Sequence, residues 1–306
     1  MKPMKMTTMK TRIKLFLSTI MLSVFAFTIS CDKIEEPYVK VIESIDTAAC
    51  PIPEFPAATT TVKRVLLEDY TGHTCVNCPS AAILAHNLKV ANGDKLILLA
   101  VHAGFFAKPT AGGDFTYDFR SEAGTAWDDF FKVGMVGNPN GMVNRIGYPQ
   151  STHIKSPPTW ASAVSSALAG EPLLDLQMIN EYDATERKLC THIKTRFITS
   201  IDKNLKLIVV IAESGIIKPQ KNNDPNSGVT PVIFDYSHSH VLRTAITTTW
   251  GSTIATAGTA NPESIVKSYK HILKDEYVPE NCSVIAFVYD DETKEVLQAV
   301  EVDVIQ

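Results

Sequence analysis

V-K-R-V-L-L-E-D-Y-T-G-H-T-C-V-N-C-P, residues 62–79, decides how the front of this chain folds. Its first half is a β-prone run, and its second half sets two cysteines, Cys75 and Cys78, in C-x-x-C spacing where a strand hands over to a helix. Pro79 suits a helix start because its missing N–H is one the first turn would leave unpaired anyway. Ile83, Leu84 and Leu88 then supply a spaced apolar face, and Asn92-Gly93 provides the stop. L-I-L-L-A-V-H at 96–102 follows as an unbroken apolar run, the pattern of a strand buried on both faces. Strand, helix and strand at this spacing require a right-handed parallel crossover. The cysteine pair therefore stands at one end of a sheet, at the head of a helix.

That position has chemical consequences. Unpaired N–H groups at a helix start favour a thiolate, so Cys75 is the expected nucleophile; Cys78, one turn along, is the sheltered resolving thiol. A zinc knuckle is the competing reading, but it needs a second ligand pair. Only His73 and His102 are near, and no second C-x-x-C exists. No metal and no cofactor are expected.

V-G-M-V-G-N-P-N-G-M-V-N-R at 133–145 adds a proline directly before another β-prone run. With the C-x-x-C it resembles the thioredoxins. The resemblance implies that Pro139 is a cis proline, that Asn138 offers its backbone to an extended thiol substrate, and that Asp69, six residues before Cys75, is a buried acid serving the resolving thiol. Simpler readings stand beside these: an ordinary N-P-N-G turn, and Glu68-Asp69 as a solvated strand end. The chain also departs from that family. Thr74 replaces an aromatic residue, Val76-Asn77 replaces Gly-Pro, and the proline follows the pair as Pro79.

Residues 103–132 are an insertion whose aromatics, Phe105, Phe106, Phe115, Tyr117 and Phe119, alternate with Gly and Pro before a helix-prone run containing Trp127. They form either a peptide-binding lip or a plug on their own domain. A helix at 158–169 places Trp160, Val164 and Leu168 on one side, and Gly170-Glu171-Pro172 marks a boundary. Beyond it, β-prone runs at 173–179, 190–197, 205–211, 283–289 and 296–305 favour an antiparallel, Ig-like sandwich, and the ambiguous 264–274 is assigned to a strand with them. His238 and His240 would share a face if extended, but no carboxylate or thiol ligand accompanies them in sequence, so they are expected to be packing or surface histidines. Cys190 and Cys282 lie at or beside strands and would be free to pair in an oxidising compartment; Cys50 has no assigned partner.

Residues 1–14 carry five basic side chains and no acid, an uncharged run follows at 15–29, and F-T-I-S-C-D ends it at Cys31. This is the layout of a secretory leader, and its end resembles a bacterial lipobox with Cys31 as the lipidated residue. Of 29 Lys plus Arg, five fall in the leader, so 24 basic face 33 acidic side chains afterwards and the net charge of the remaining 276 residues is −9. Nothing basic is left to grip a phosphate backbone, which excludes nucleic acid as the expected partner. The acidic C-D-K-I-E-E-P also resembles the export signal of surface lipoproteins of Bacteroidetes. Four prolines between 32 and 61 read as a tether.

E-D-Y-T-G-H-T-C-V-N-C-P at 68–79, G-N-P-N-G at 137–141, H-V-L-R at 240–243 and the ending at 280–299 together resemble the Omp28-related outer membrane proteins of Bacteroidetes. The expected plan is a leader (1–30), a lipidated tether (31–61), an α/β thioredoxin-like domain (62–170) and an all-β sandwich (171–306). The resemblance implies a lipid-anchored, surface-facing protein of the outer membrane whose partner is a protein or peptide in the envelope or outside the cell. Two functions are expected: thiol-disulfide exchange through Cys75 and Cys78, or a binding and adhesion module in which that disulfide is structural.

Overall fold

A computed structural model describes residues 50–57 and 60–305. The leader, Cys31 and the tether up to residue 49 lie outside the described residues. β1 (Val65–Thr71) pairs in parallel with β2 (Leu96–His102), Val65 opposite Leu96 and Thr71 opposite His102, and α1 (Cys78–Asn92) connects them. Two helices follow, α2 (Glu122–Phe131) and α3 (Val133–Val136); Ser121 caps α2 by accepting the Gly124 N–H at 3.1 Å. β3 (Asn140–Val143) runs antiparallel to β1 with Asn140 opposite Tyr70, and α4 (Trp160–Leu168) closes this region.

The remaining chain is β-structure: β4 (Leu174–Asp183), β5 (Lys188–Phe197), β6 (Leu205–Glu213), β7 (Ile216–Ile217), β8 (Gln220–Lys221), β9 (Val232–Ile233), β10 (Ser237–His238), β11 (Val241–Ala245), β12 (Ser252–Ala255), β13 (Ser264–Ile272), β14 (Cys282–Asp290) and β15 (Val296–Asp303). The protein is thus a thioredoxin-like α/β region followed by a sandwich-like β region, and one sheet runs through both. Its order is β15-β14-β6-β11-β2-β1-β3, with β12 also on β6, while β13-β5-β4 form a separate three-stranded sheet. The junction is narrow. Val241 stands opposite Ala100, and the Ala100 N–H donates to the His240 carbonyl at 2.8 Å.

Period-2 alternation in β6 explains how a shared sheet is buried on both sides. Leu205, Leu207, Val209 and Ile211 enter the core beneath the three-stranded sheet; Ile208, Val210 and Ala212 enter the core around α2. β14 divides likewise, with Val284, Ala286 and Val288 on one side and Ile285, Phe287 and Tyr289 on the other. A third core joins Val65, Leu67, Leu96 and Leu98 to α1 and α4 through Ala81, Ala85, Trp160 and Val164.

Arg145 fastens the two regions. Its guanidinium, fully buried, donates to both carboxylate oxygens of Glu68 at 2.8 Å and lies about equally far from four rings: Trp127 (5.1 Å) and Phe131 (4.9 Å) of α2, Phe287 (5.1 Å) and Tyr289 (5.7 Å) of β14. Burial opposes its charge, but Glu68, with Tyr70 and Tyr289, more than offsets burial and holds the Arg145 pKa above its ordinary value.

Two expectations are corrected here. Ile83 is not part of the buried face of α1 but 43% exposed; the helix approaches the sheet through the small Ala81 and Ala85, and Leu84 and Leu88 are half-buried. Cys190 does not pair with Cys282. It is bonded to Cys50 with a Cα–Cα separation of 5.6 Å, while Cys282 is a buried free thiol whose pKa is pushed to about 12 by burial and then by Glu213. Cys190 belongs to the three-stranded sheet and Cys282 heads β14 in the other.

Candidate functional site

The turn from β1 into α1 is built on close backbone approach. A Cβ on Gly72 would meet the Phe106 carbonyl carbon at 2.4 Å, so only glycine fits, and Thr74 donates to the Phe106 carbonyl from both its N–H (3.1 Å) and its hydroxyl (2.8 Å). Cys75 and Cys78 close a disulfide, with Cys78 the first residue of α1. Against the expectation that Cys78 is the more sheltered of the two, both are buried alike, Cys75 at 2% and Cys78 at 3% exposure.

The other residues expected at the site gather at the same end of the sheet. The Asn138–Pro139 peptide is cis and directly precedes Asn140, which pairs with Tyr70; the Asn138 side-chain amide donates to the Ala103 carbonyl at 3.5 Å. Asp69 is not a solvated strand end. It is buried, its Oδ1 has no hydrogen-bond partner among the described residues, and burial raises its pKa to about 7. Asp69 and Cys78 line one cavity of about 380 Å³ together with His102, Gln220, Tyr236 and His238. Burial pushes the His238 pKa down to about 3 and that of His102 well below the usual value, so both are neutral at pH 7; burial, then the Asp69 charge, raises Tyr236 to about 12.

Phe119 anchors this wall. Its ring lies 4.5 Å from His102, 4.3 Å from His238 and 4.7 Å from Tyr117. Part of the aromatic insertion is therefore a plug, while Phe105 stays exposed. His240, at φ 55°, breaks the extended run that would have aligned it with His238. Among the described residues no three His, Cys, Asp or Glu side chains are grouped to hold a metal.

Local sequence patterns missed what lies across the C-x-x-C turn. The segment from β7 to β10 returns across the C-x-x-C turn. There the Lys221 N–H donates to the His73 carbonyl (2.9 Å), the Asn223 N–H to the Val76 carbonyl (3.1 Å), and the buried Gln220 amide to the Cys75 carbonyl (2.9 Å). Asn222, Asp224, Ser227 and Gly228 spell a turn in sequence. Nothing in that pattern tells which surface the turn lies on.

Fold and site define a class: a thioredoxin-like region with a C-x-x-C disulfide, continued by a β-sandwich. Residues 126–306, more than half of the chain, match the family described as "Outer membrane protein Omp28", and the chain belongs to that family of envelope proteins. Among solved structures, HBP35 of Porphyromonas gingivalis shares the fold at a TM-score of 0.57 and 16% identity, over 80% of this chain and 76% of that one. A domain of the outer membrane lipoprotein Omp28 from the same organism is 22% identical over 44% of this chain and 90% of its own length, with a TM-score of 0.31. No curated protein matches the chain. The family match begins after Cys78, so the reading of the cysteine pair rests on its geometry.

Proposed function

We propose that this protein exchanges disulfides with proteins of the cell envelope. The observation that carries the reading is a C-x-x-C disulfide at a helix head, with a buried acid whose Oδ1 has no partner among the described residues on the cavity that Cys78 also lines. A client thiolate attacks the Cys75 sulfur, forming a mixed disulfide as the Cys75–Cys78 bond breaks. The electron pair leaves on Cys78, which takes the proton held by Asp69, directly or through water for which the cavity has room. A second client thiolate then attacks the client sulfur, and Cys75 leaves as a thiolate. The client gains a disulfide, and the protein holds the two electrons as a thiol and a thiolate, which protonates from solvent. The reverse sequence reduces a client. Asn138, before the cis proline, would present its backbone to the docked segment.

The burial of both sulfurs favours a second reading, a surface binding module whose disulfide is structural. A Cys78→Ala variant separates the two, because it cannot resolve a mixed disulfide. On the exchange reading it accumulates client adducts that reductant releases. The absence of adducts, with a Cys75–Cys78 potential below about −300 mV, rejects exchange.

The leader and Cys31 support lipid anchoring at the outer membrane. A Cys31→Ala variant is expected to lose lipid labelling and leave the membrane fraction; unchanged labelling and sedimentation would refute the anchor.

A further inference from the structure

The carbonyl edge of the C-x-x-C turn is occupied by the protein's own chain. Lys221 and Asn223, two residues apart, aim their N–H groups at the His73 and Val76 carbonyls, while the intervening Asn222 N–H turns back to Pro231 at 2.9 Å. Alternate donors facing one way are how an extended strand reads an edge. The strap that carries them, residues 218–231, is held across the site by few side-chain bonds, the most buried being those of the Gln220 amide to the Cys75 (2.9 Å) and Gly72 (3.4 Å) carbonyls. Ser80 of α1 donates to Asp224 at 2.9 Å and meets Ser227 at 2.9 Å, and the Asn223 amide donates to Asn77 at 2.8 Å. Lys221 also lies over Phe115 at 5.6 Å. Its apolar side chains add little, since Val229 at its tip is 70% exposed and Phe234 just beyond it 62%. A segment fastened by hydrogen bonds at a surface opens far more readily than one anchored in a core.

We propose that this edge is the docking surface for an extended, cysteine-bearing segment of a partner protein, and that the strap is its occupant in cis, which must leave before Cys75 can react. The strap specifies the chemistry of its replacement: two backbone N–H donors spaced two residues apart, so no proline at either position. The partner's cysteine rests on the exchange reading; the gating of Cys75 does not. Removal of the strap uncovers the Cys75 sulfur and frees the His73 and Val76 carbonyls for the incoming strand.

The test measures reduction of the oxidised full-length protein by tris(2-carboxyethyl)phosphine, reading Cys75 and Cys78 by alkylation and mass. Ser80→Ala with Asn223→Ala removes the strap's side-chain bonds to Ser80 and Asn77, leaving those of Gln220, and is expected to speed reduction about tenfold, as two lost hydrogen bonds imply. An unchanged rate, in a variant whose Lys221 and Asn223 amides exchange faster, would overturn gating. In the wild type, reduction faster than the opening of those two amides would do the same, whether or not the variant folds. Docking is read in the loosened variant with a short extended peptide carrying one cysteine. It is expected to react about tenfold faster than free cysteine and to lose that advantage when prolines flank its cysteine; equal rates overturn the docking surface. Faster reduction of the loosened variant, with no adduct on its Cys78→Ala form, would leave gating standing and end the exchange reading.

Discussion

Asp69→Asn is expected to stabilise the oxidised protein at pH 8 by about 4 kcal/mol and to change its stability little at pH 4. The folded pKa of about 7, against an ordinary value of 3.8, is a shift of about three units at about 1.4 kcal/mol each. Between these two values the unfolded chain has released the proton and the folded chain has kept it. The fold binds more protons there, so its stability falls as pH rises, and the whole loss is present above pH 7. Asparagine carries no charge in either state and removes that slope. Urea unfolding at pH 5 and pH 8 checks this, and an equal effect at both values would show that Asp69 ionises normally. On the exchange reading proposed above, the same substitution would remove the proton supply to Cys78 and is expected to slow exchange about a hundredfold, with loss of any inflection near pH 7.

Arg145→Ala is expected to cost about 4 kcal/mol, a large part of the stability of an ordinary domain. The loss comes from what remains: the Glu68 carboxylate is left buried without its bidentate partner, and the space among Trp127, Phe131, Phe287 and Tyr289 is emptied. Glu68→Gln strands the guanidinium instead and is expected to cost a comparable amount. Removing both charges together, as Glu68→Leu with Arg145→Met, is expected to recover most of the loss, because well-packed apolar side chains replace a buried pair at little net cost. Denaturant midpoints decide. A double variant as unstable as the single ones would show that the cage, rather than the ion pair, carries the stability.

The parts of the fold that local pattern encodes were legible. The apolar run at 96–102 became β2 with those bounds, the C-x-x-C fell at the head of α1, and the ambiguous 264–274 became an edge strand because its partner β5 shares its register from Ser264 to Ile272. Cys75, Cys78, Asp69, Asn138 and Pro139 all lie towards one end of the sheet. What escaped depends on contacts between distant residues. Of the four cysteines outside the C-x-x-C, Cys50, Cys190 and Cys282 leave their pairing open in sequence, and burial in separate sheets divides Cys190 from Cys282. Arg145 reads as the polar end of a short strand, although it is fully buried in the shared core, as is its partner Glu68. The strap is a polar run with Pro219, Pro225 and Pro231, so its sequence states only that it turns. Its partners lie some 145 residues away. The joining of two regions in one sheet depends on a single strand neighbour, which no periodicity records.

The Cys50–Cys190 bond sets where force enters the molecule. A pull arriving along the chain from before Cys50 divides there, and the covalent cross-link carries it into β5, in the middle of the three-stranded sheet, while the chain from residue 51 to β1 can remain slack. The strand that leads into Cys75 is thereby relieved of load, and a cut anywhere between 51 and 189 leaves both pieces joined. For a protein held from its N-terminal side, the β-sandwich bears the strain and the C-x-x-C turn, with its thin cover of hydrogen bonds, is spared it.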